Sequence, residues 1–166
     1  MTERIRNVLF LCTANSARSI IAEAVLTHLS GGRFRAFSAG SHPRGEVHPM
    51  ALEVLEKAGY PVAGLNSKSW DAFSAEGAPE MDFVFTVCDK TAGASCPVWP
   101  GRPVTAHWGF ADPAAVGGSH TEQLRAFWQA EREISNRIKQ FVNLPVASLD
   151  RIALQHTVRD LGTGTS

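Results

Sequence analysis

Cys12 and Arg18 bracket the five residues Thr13-Ala14-Asn15-Ser16-Ala17, and Ser19 follows directly. Small residues between a buried strand and a helix can turn successive backbone N–H groups inward. They then form a cradle for a tetrahedral oxyanion at the positive end of the helix. Arg18 adds a planar fork able to grip two anion oxygens. The same positive field acts on the Cys12 thiol. A thiol with pKa about 8.5 is only about 3% thiolate at pH 7, whereas a pKa of about 6 makes it about 90% thiolate. A Ser19 hydroxyl donated to the sulfur would act in the same direction. Asn15 suits a left-handed position in the loop, where its side chain can tie the turn together. A cysteine and an arginine alone would describe a small buried hydrophobe and a surface side chain. The buried strand before them, the small loop residues and the hydroxyl after Arg18 point instead to a nucleophile inside an anion cradle. No GxxxxGK[ST] pattern is present, which removes a nucleotide-type phosphate loop as the rival.

Such a loop needs a strand to deliver it and a helix to receive it. NVLFL (7–11) is a continuous apolar run, as in a parallel strand buried on both faces. Ile20, Ile21, Ala24, Val25 and Leu29 then recur at helical spacing until Gly31-Gly32. FRAFSAG (34–40) reads as a second strand, followed by a helix with Pro49 near its start and Gly59 and Pro61 at its end. MDFVFTV (81–87) and RPVTAHW (102–108) are the third and fourth strands, with Pro103 marking an edge. Ser119 and Glu122 form a capping box ahead of a long amphipathic helix that ends before Pro145. Ser148 is expected to cap a last helix reaching about Leu161, with GTGTS as a loose tail.

Strands alternating with helices predict an α/β three-layer sandwich around a four-stranded parallel sheet with helices on both faces. The expected organisation is one domain, with residues 1–145 as its body and 146–166 as a C-terminal helix and tail. Ligands of such sheets sit beyond the carboxyl ends of the strands. Cys12, Cys88 and the segment after residue 108 converge on that edge.

Composition narrows the partners. The 166 residues are 44% hydrophobic, enough for a self-sufficient core, and 16 basic residues balance 16 acidic ones. No general field therefore calls for nucleic acid or an anionic membrane. MTERIRNVLFLC lacks the long apolar core and cleavage pattern of a signal peptide, and no run approaches the roughly 20 residues of a membrane span. A cytoplasmic location is expected. Cys12, Cys88 and Cys96 are odd in number and sparse, which favours reactive thiols over structural bridges. Trp70, Trp99, Trp108 and Trp128 read as packing and loop anchors. His42, His48 and His107 lack ligand spacing with the cysteines, so no metal is assigned.

VLFLCTANSARS, then AEAVL, SAGSHP, FVFTVCDK, CPVWPG and HWGFADP, spread over nearly the whole chain, resemble the low-molecular-weight phosphotyrosine phosphatase fold, and within it the arsenate reductase branch. The resemblance implies that Cys12 attacks a tetrahedral oxyanion, that Arg18 and the loop Thr13 to Ser19 bind it, and that Asp112 acts as general acid. Chemically, a carboxyl above the pocket is able to protonate a departing oxygen. The phosphatases of the family carry aromatic residues after the DP pair, but Ala114 and Ala115 stand here, which suits a small inorganic anion.

Arsenate reduction needs two electrons, and Cys88 and Cys96 supply an expected relay. Cys12 would form an adduct with arsenate, Cys88 would attack its sulfur as arsenite leaves, and Cys96 would then attack Cys88. Adjacent strands lie about 4.8 Å apart, which brings cysteines at two neighbouring strand ends into bridging range. Were 88–96 helical, Cys88 and Cys96 would stand about 12 Å apart along the axis, beyond the roughly 7 Å a disulfide tolerates, so the segment must unwind. DKTAGAS has no large apolar anchor to oppose that. Electrons would come from thioredoxin or from glutaredoxin and glutathione, with no bound cofactor. Ala17 stands where several thioredoxin-coupled relatives have another cysteine, and the 88–96 segment is slightly longer than theirs; the donor stays open between the two. Asn15, Glu23 and Ser38 match positions that hold potassium in some relatives, but Ser69 stands near the place of an expected aspartate, and no ion is assigned. Phosphate and sulfate are the expected competitors. The alternatives are a phosphatase acting on a small phosphomonoester and a catalytically idle oxyanion-binding module.

Overall fold

The computed structural model describes residues 5–87, 103–146 and 149–163. Cys88, Cys96, Trp99 and Ser148 lie outside the described residues. Four strands form one sheet in the order β2-β1-β3-β4: β1 Arg6–Cys12, β2 Phe34–Gly40, β3 Phe83–Thr86 and β4 Val104–His107. Every pairing is parallel, with Cys12 opposite Gly40 and Leu11 opposite Thr86. The central position of β1 explains its unbroken apolar sequence. Val8, Phe10 and Cys12 enter one core, while Leu9 and Leu11 enter the other.

The helices are α1 Arg18–Leu29, α2 Pro49–Lys57, α3 Asp71–Ser74, α4 His120–Val142 and α5 Arg151–Thr163. α1, α2, α4 and α5 contribute to the larger core, and Phe73 of α3 packs into the smaller one with Phe37, Trp70 and Met81. Three features are absent from the sequence expectation: α3, a 3-10 turn over Pro113–Ala115, and an isolated parallel bridge from Gly40 to Ser69. α1 also buries more than the single stripe expected, including Ala22 and Leu26, because it lies between the sheet and α4.

The capping expected at α4 is present: Ser119 Oγ accepts from Glu122 N at 3.2 Å. α5 begins at Arg151, and it is the Asp150 carboxylate that accepts from Ala153 N at 2.8 Å. Trp108 is the main anchor between β4 and α5. Its ring stacks on Phe85 at 3.9 Å, and its indole N–H donates to Val158 O at 2.9 Å. Such an aromatic pair adds about 0.5–1.5 kcal/mol to the burial itself. Among the described residues no helix is long and apolar enough to cross a membrane.

Candidate active site

Cys12 is the last residue of β1 and is 3% exposed. Beyond it the carbonyls of the loop are taken up from outside. Cys12 O accepts from Ser41 N, Thr13 O from His42 N, Ala14 O from Arg44 N and Ser16 O from His48 N, at 2.8–3.3 Å. Ser67 Oγ also donates to Ala14 O at 3.0 Å. A peptide plane whose carbonyl points outward turns its N–H the opposite way, so these bonds aim the loop's donors toward its concave side. α1 starts at Arg18 with Ala17 at its cap, no side-chain cap hydrogen bond and no acidic residue in the first turn. The orphan N–H groups of that turn are thus available to an anion, and the helix field reinforces them.

Asn15 holds the loop's shape. Its φ is 48°, the left-handed position expected from the sequence, and its side chain is fully buried. Its amide nitrogen donates to Ser19 Oγ at 2.8 Å and Ser38 Oγ at 3.0 Å, while its oxygen accepts from Lys68 N at 2.9 Å. Ser38 Oγ donates in turn to the Glu23 carboxylate, and Lys68 Nζ lies 3.9 Å from that carboxylate. Burial pushes the Glu23 carboxyl upward, against the pull of Ser38 and Lys68. Burial likewise lowers the Lys68 ammonium, and Glu23 opposes that shift. Gly40 leaves room for the loop: a methyl group there would sit 2.5 Å from Thr13 O and 3.0 Å from Asn15 N.

Arg18, 14% exposed, reaches from α1 to the segment after β4. One guanidinium nitrogen donates to Phe110 O at 3.1 Å, and the other lies 3.5 Å from the Asp112 carboxylate, which is 40% exposed. The other Asp112 oxygen accepts from Ala114 N at 3.0 Å, starting a 3-10 turn over Pro113–Ala115. The structure therefore brings together Cys12, Thr13 to Ala17, Arg18, Ser19 and Asp112. Val87, the residue before Cys88, donates its N–H to Leu11 O at 2.8 Å.

Three contributors to the site were not found by sequence reasoning. Ser67 and Lys68 meet the loop from 53 residues away, a separation no local pattern encodes. His48 carries an indirect signal in the Pro that follows it. Besides holding Ser16 O, it caps α2 through Nδ1, which accepts from Met50 N at 3.1 Å, and its ring lies 4.5 Å from that of Phe127. Burial lowers its pKa, Arg44 acts the same way, and Asp112 opposes them.

The sequence matches the model of the family Low molecular weight phosphotyrosine protein phosphatase over residues 7–154. Arsenate reductase of Bacillus subtilis is 33% identical over 134 residues, covering 81% of this chain and 93% of that protein. Among solved structures, an arsenate reductase in the phosphate binding state superposes with TM-score 0.64 at 25% identity, covering 83% of this chain and 97% of the other. The thioredoxin-dependent arsenate reductase of Corynebacterium glutamicum gives TM-score 0.56 at 27% identity, covering 85% of this chain and 65% of that one. A parallel sheet delivering a Cys-to-Arg anion loop to a helix N-terminus, matched in sequence across most of its length, places this chain in the low molecular weight phosphotyrosine protein phosphatase family.

Proposed function

We infer that this chain is an enzyme that reduces arsenate to arsenite, using Cys12 as nucleophile and Cys88 and Cys96 as the route out for the oxidising equivalents. The loop amides and Arg18 bind the oxyanion, and the charge they carry keeps Cys12 ionised. Ser19 Oγ already accepts from Asn15, so its own proton is left to donate, and the Cys12 sulfur at the same turn is the natural acceptor. The thiolate attacks arsenic, Asp112 gives a proton to the departing oxygen, and water leaves with an S–As bond formed. The Cys88 thiolate then attacks the Cys12 sulfur. The S–As electron pair passes to arsenic, which leaves as arsenite, and a Cys12–Cys88 disulfide remains. Cys96 displaces Cys12 from Cys88, and an external dithiol reduces the Cys88–Cys96 disulfide.

The observation that carries the relay is the Val87 to Leu11 hydrogen bond, which ties the residue before Cys88 to the residue before Cys12. The relay requires that the two thiols come within the Cα separation a disulfide tolerates, and this bond supports that by joining their immediate chain neighbours. Similarity to arsenate reductases, one of them thioredoxin-dependent, supports the substrate and a thioredoxin-type donor, with glutaredoxin and glutathione as the other source. A relative in a phosphate binding state supports phosphate as competitor. Thiols that must return to the reduced state at each turnover fit a cytoplasmic setting.

The test is arsenate-dependent NADPH oxidation with each donor system, run beside hydrolysis of an aryl phosphate. Cys88→Ser and Cys96→Ser should each stop steady-state arsenate turnover and leave any phosphatase activity standing. Sustained turnover in either variant overturns the relay; hydrolysis without arsenate turnover in the native chain favours the phosphatase.

A further inference from the structure

The side chains behind the nucleophile loop close into a ring: Asn15 Oδ1 to Lys68 N, Lys68 Nζ to Glu23, Glu23 to Ser38 Oγ, and Ser38 Oγ to Asn15 Nδ2. The donor sense around the ring is fixed. Reversing the Asn15 amide would set its NH2 against the Lys68 N–H, two donors facing each other. The Asn15 oxygen is therefore committed to a backbone amide, and the Ser38 oxygen donates to Glu23 while accepting from Asn15. A dissolved monovalent cation needs several oxygens turned toward one point. Here the Asn15 oxygen is held by the Lys68 N–H, the Ser38 hydroxyl is turned to Glu23, and an ammonium group already stands beside the carboxylate. These residues therefore do not fit a potassium ion.

We propose that the Lys68 ammonium is the built-in counter-charge of Glu23, and that this pair, acting through Ser38 and Asn15, positions the Cys12 to Arg18 loop for its oxyanion without a dissolved monovalent cation. Lys68 and Glu23 are positioning residues, since neither reaches the anion. Their side chains are 25% and 17% exposed, which shields the pair from bulk salt. Lys68 Nζ is further fixed by donating to Asn66 O at 2.8 Å, and its own N–H holds Asn15, so one residue supplies both the charge and a backbone anchor. A negative charge left alone behind the loop would weaken the cradle's hold on a dianion and raise the Cys12 pKa. The ring also holds Asn15 at its left-handed φ of 48°, a conformation asparagine tolerates better than most residues.

This rests on the reading of the loop as an oxyanion site, so the test uses binding and thiol reactivity rather than turnover. Alkylation of Cys12 by iodoacetamide, followed by peptide mass mapping, is measured against pH and against added inorganic phosphate. The native chain should be protected by phosphate equally, within about twofold, in potassium chloride and in choline chloride of the same ionic strength. Lys68→Ala should weaken phosphate protection about tenfold, the usual size of losing an outer partner of a binding group. It should also move the Cys12 alkylation profile to higher pH. Potassium or methylammonium chloride, but not choline chloride, should restore part of both, and Lys68→Arg should stay close to native. The double variant Glu23→Gln with Lys68→Met removes both charges and should unfold at a higher temperature than Glu23→Gln alone. A native chain whose phosphate protection requires potassium overturns the proposal, as does Lys68→Ala with unchanged protection and pH profile. Protection without arsenate turnover would instead sink the reductase reading alone, and no protection of the native chain by any oxyanion sinks both.

Discussion

Two loops meet at the carboxyl edge of the sheet, and they are held in opposite ways. Residues 12–18 are fastened from behind: four carbonyls accept from the 41–48 segment, Asn15 is wholly buried, and Gly40 backs the turn at contact distance. The loop carrying Asp112 starts firmly, with Trp108 N bonded to Thr86 O and Phe110 N to Val87 O. Further along, its carboxylate is 40% exposed and meets Arg18 at 3.5 Å and its own turn at Ala114. The difference follows the chemistry. Donors that stabilise developing charge act without reorganisation only if they are fixed in advance. A proton donor has to follow the oxygen it serves and gains less from rigidity.

Damage to the two loops should therefore differ in kind. Cys12→Ser removes the nucleophile and should abolish arsenate turnover by both donor systems. Arg18→Lys keeps the charge but loses the fork and should lower kcat/KM by about 10²–10³, as when one preorganised oxyanion donor is removed. Asp112→Asn should lower kcat by about 10²-fold while phosphate protection of Cys12 stays within a few-fold. The comparison breaks if Asp112→Asn weakens phosphate binding as much as Arg18→Lys does.

How legible each loop is in sequence follows the same division. Cys12, Arg18 and Asn15 lie within one strand-loop-helix unit, so their types and spacing are enough to place them together. The alternation of strands with helices along the chain likewise fixes which edge they occupy. Lys68, Ser67 and His48 are joined to the loop by single hydrogen bonds across long stretches of chain, and a lysine in SKSW carries no periodic signal. α3 is four residues long, too short to produce a helical repeat. At the last helix the Asp150 carboxylate accepts from Ala153 N, and Asp caps as readily as Ser, so residue type alone does not single it out in sequence.

One added methyl group reads out the rigidity of each loop. Gly40→Ala would press a carbon to 2.5 Å from Thr13 O and 3.0 Å from the Asn15 backbone, whereas at Gly117, after the acid segment, nothing lies within 4 Å. Gly40→Ala should cost about 1–3 kcal/mol in urea unfolding and slow Cys12 alkylation several-fold. Gly117→Ala should stay within about 0.5 kcal/mol and leave alkylation unchanged. Equal effects at the two glycines would mean that the nucleophile loop yields as readily as its neighbour.

The finest distinction is in pH. His48 stands between the loops, with its backbone on Ser16 and Asp112 within electrostatic reach, and its pKa is lowered from 6.5 by burial first and Arg44 second. A lowered histidine pKa means that the unfolded chain binds the proton more readily. The stability His48 contributes is then complete above pH 6.5 and is lost as pH falls through its folded value. Protonation must also break the Met50 N–H bond to Nδ1, loosening the start of α2 and its tie to Ser16. Glu23, behind the nucleophile loop, has the opposite sign. Its pKa is raised from 4.5 by burial, so its contribution is present below that value and is lost as pH rises through the folded one. His48→Asn keeps an N-cap side chain and removes the titration, so its melting temperature should fall less than that of the native chain between pH 7.5 and pH 5.5. Glu23→Gln should steepen the same decline by removing the acid-side gain. Parallel pH curves for the native chain and both variants would show that neither group titrates with folding, and that the two loops differ in packing alone.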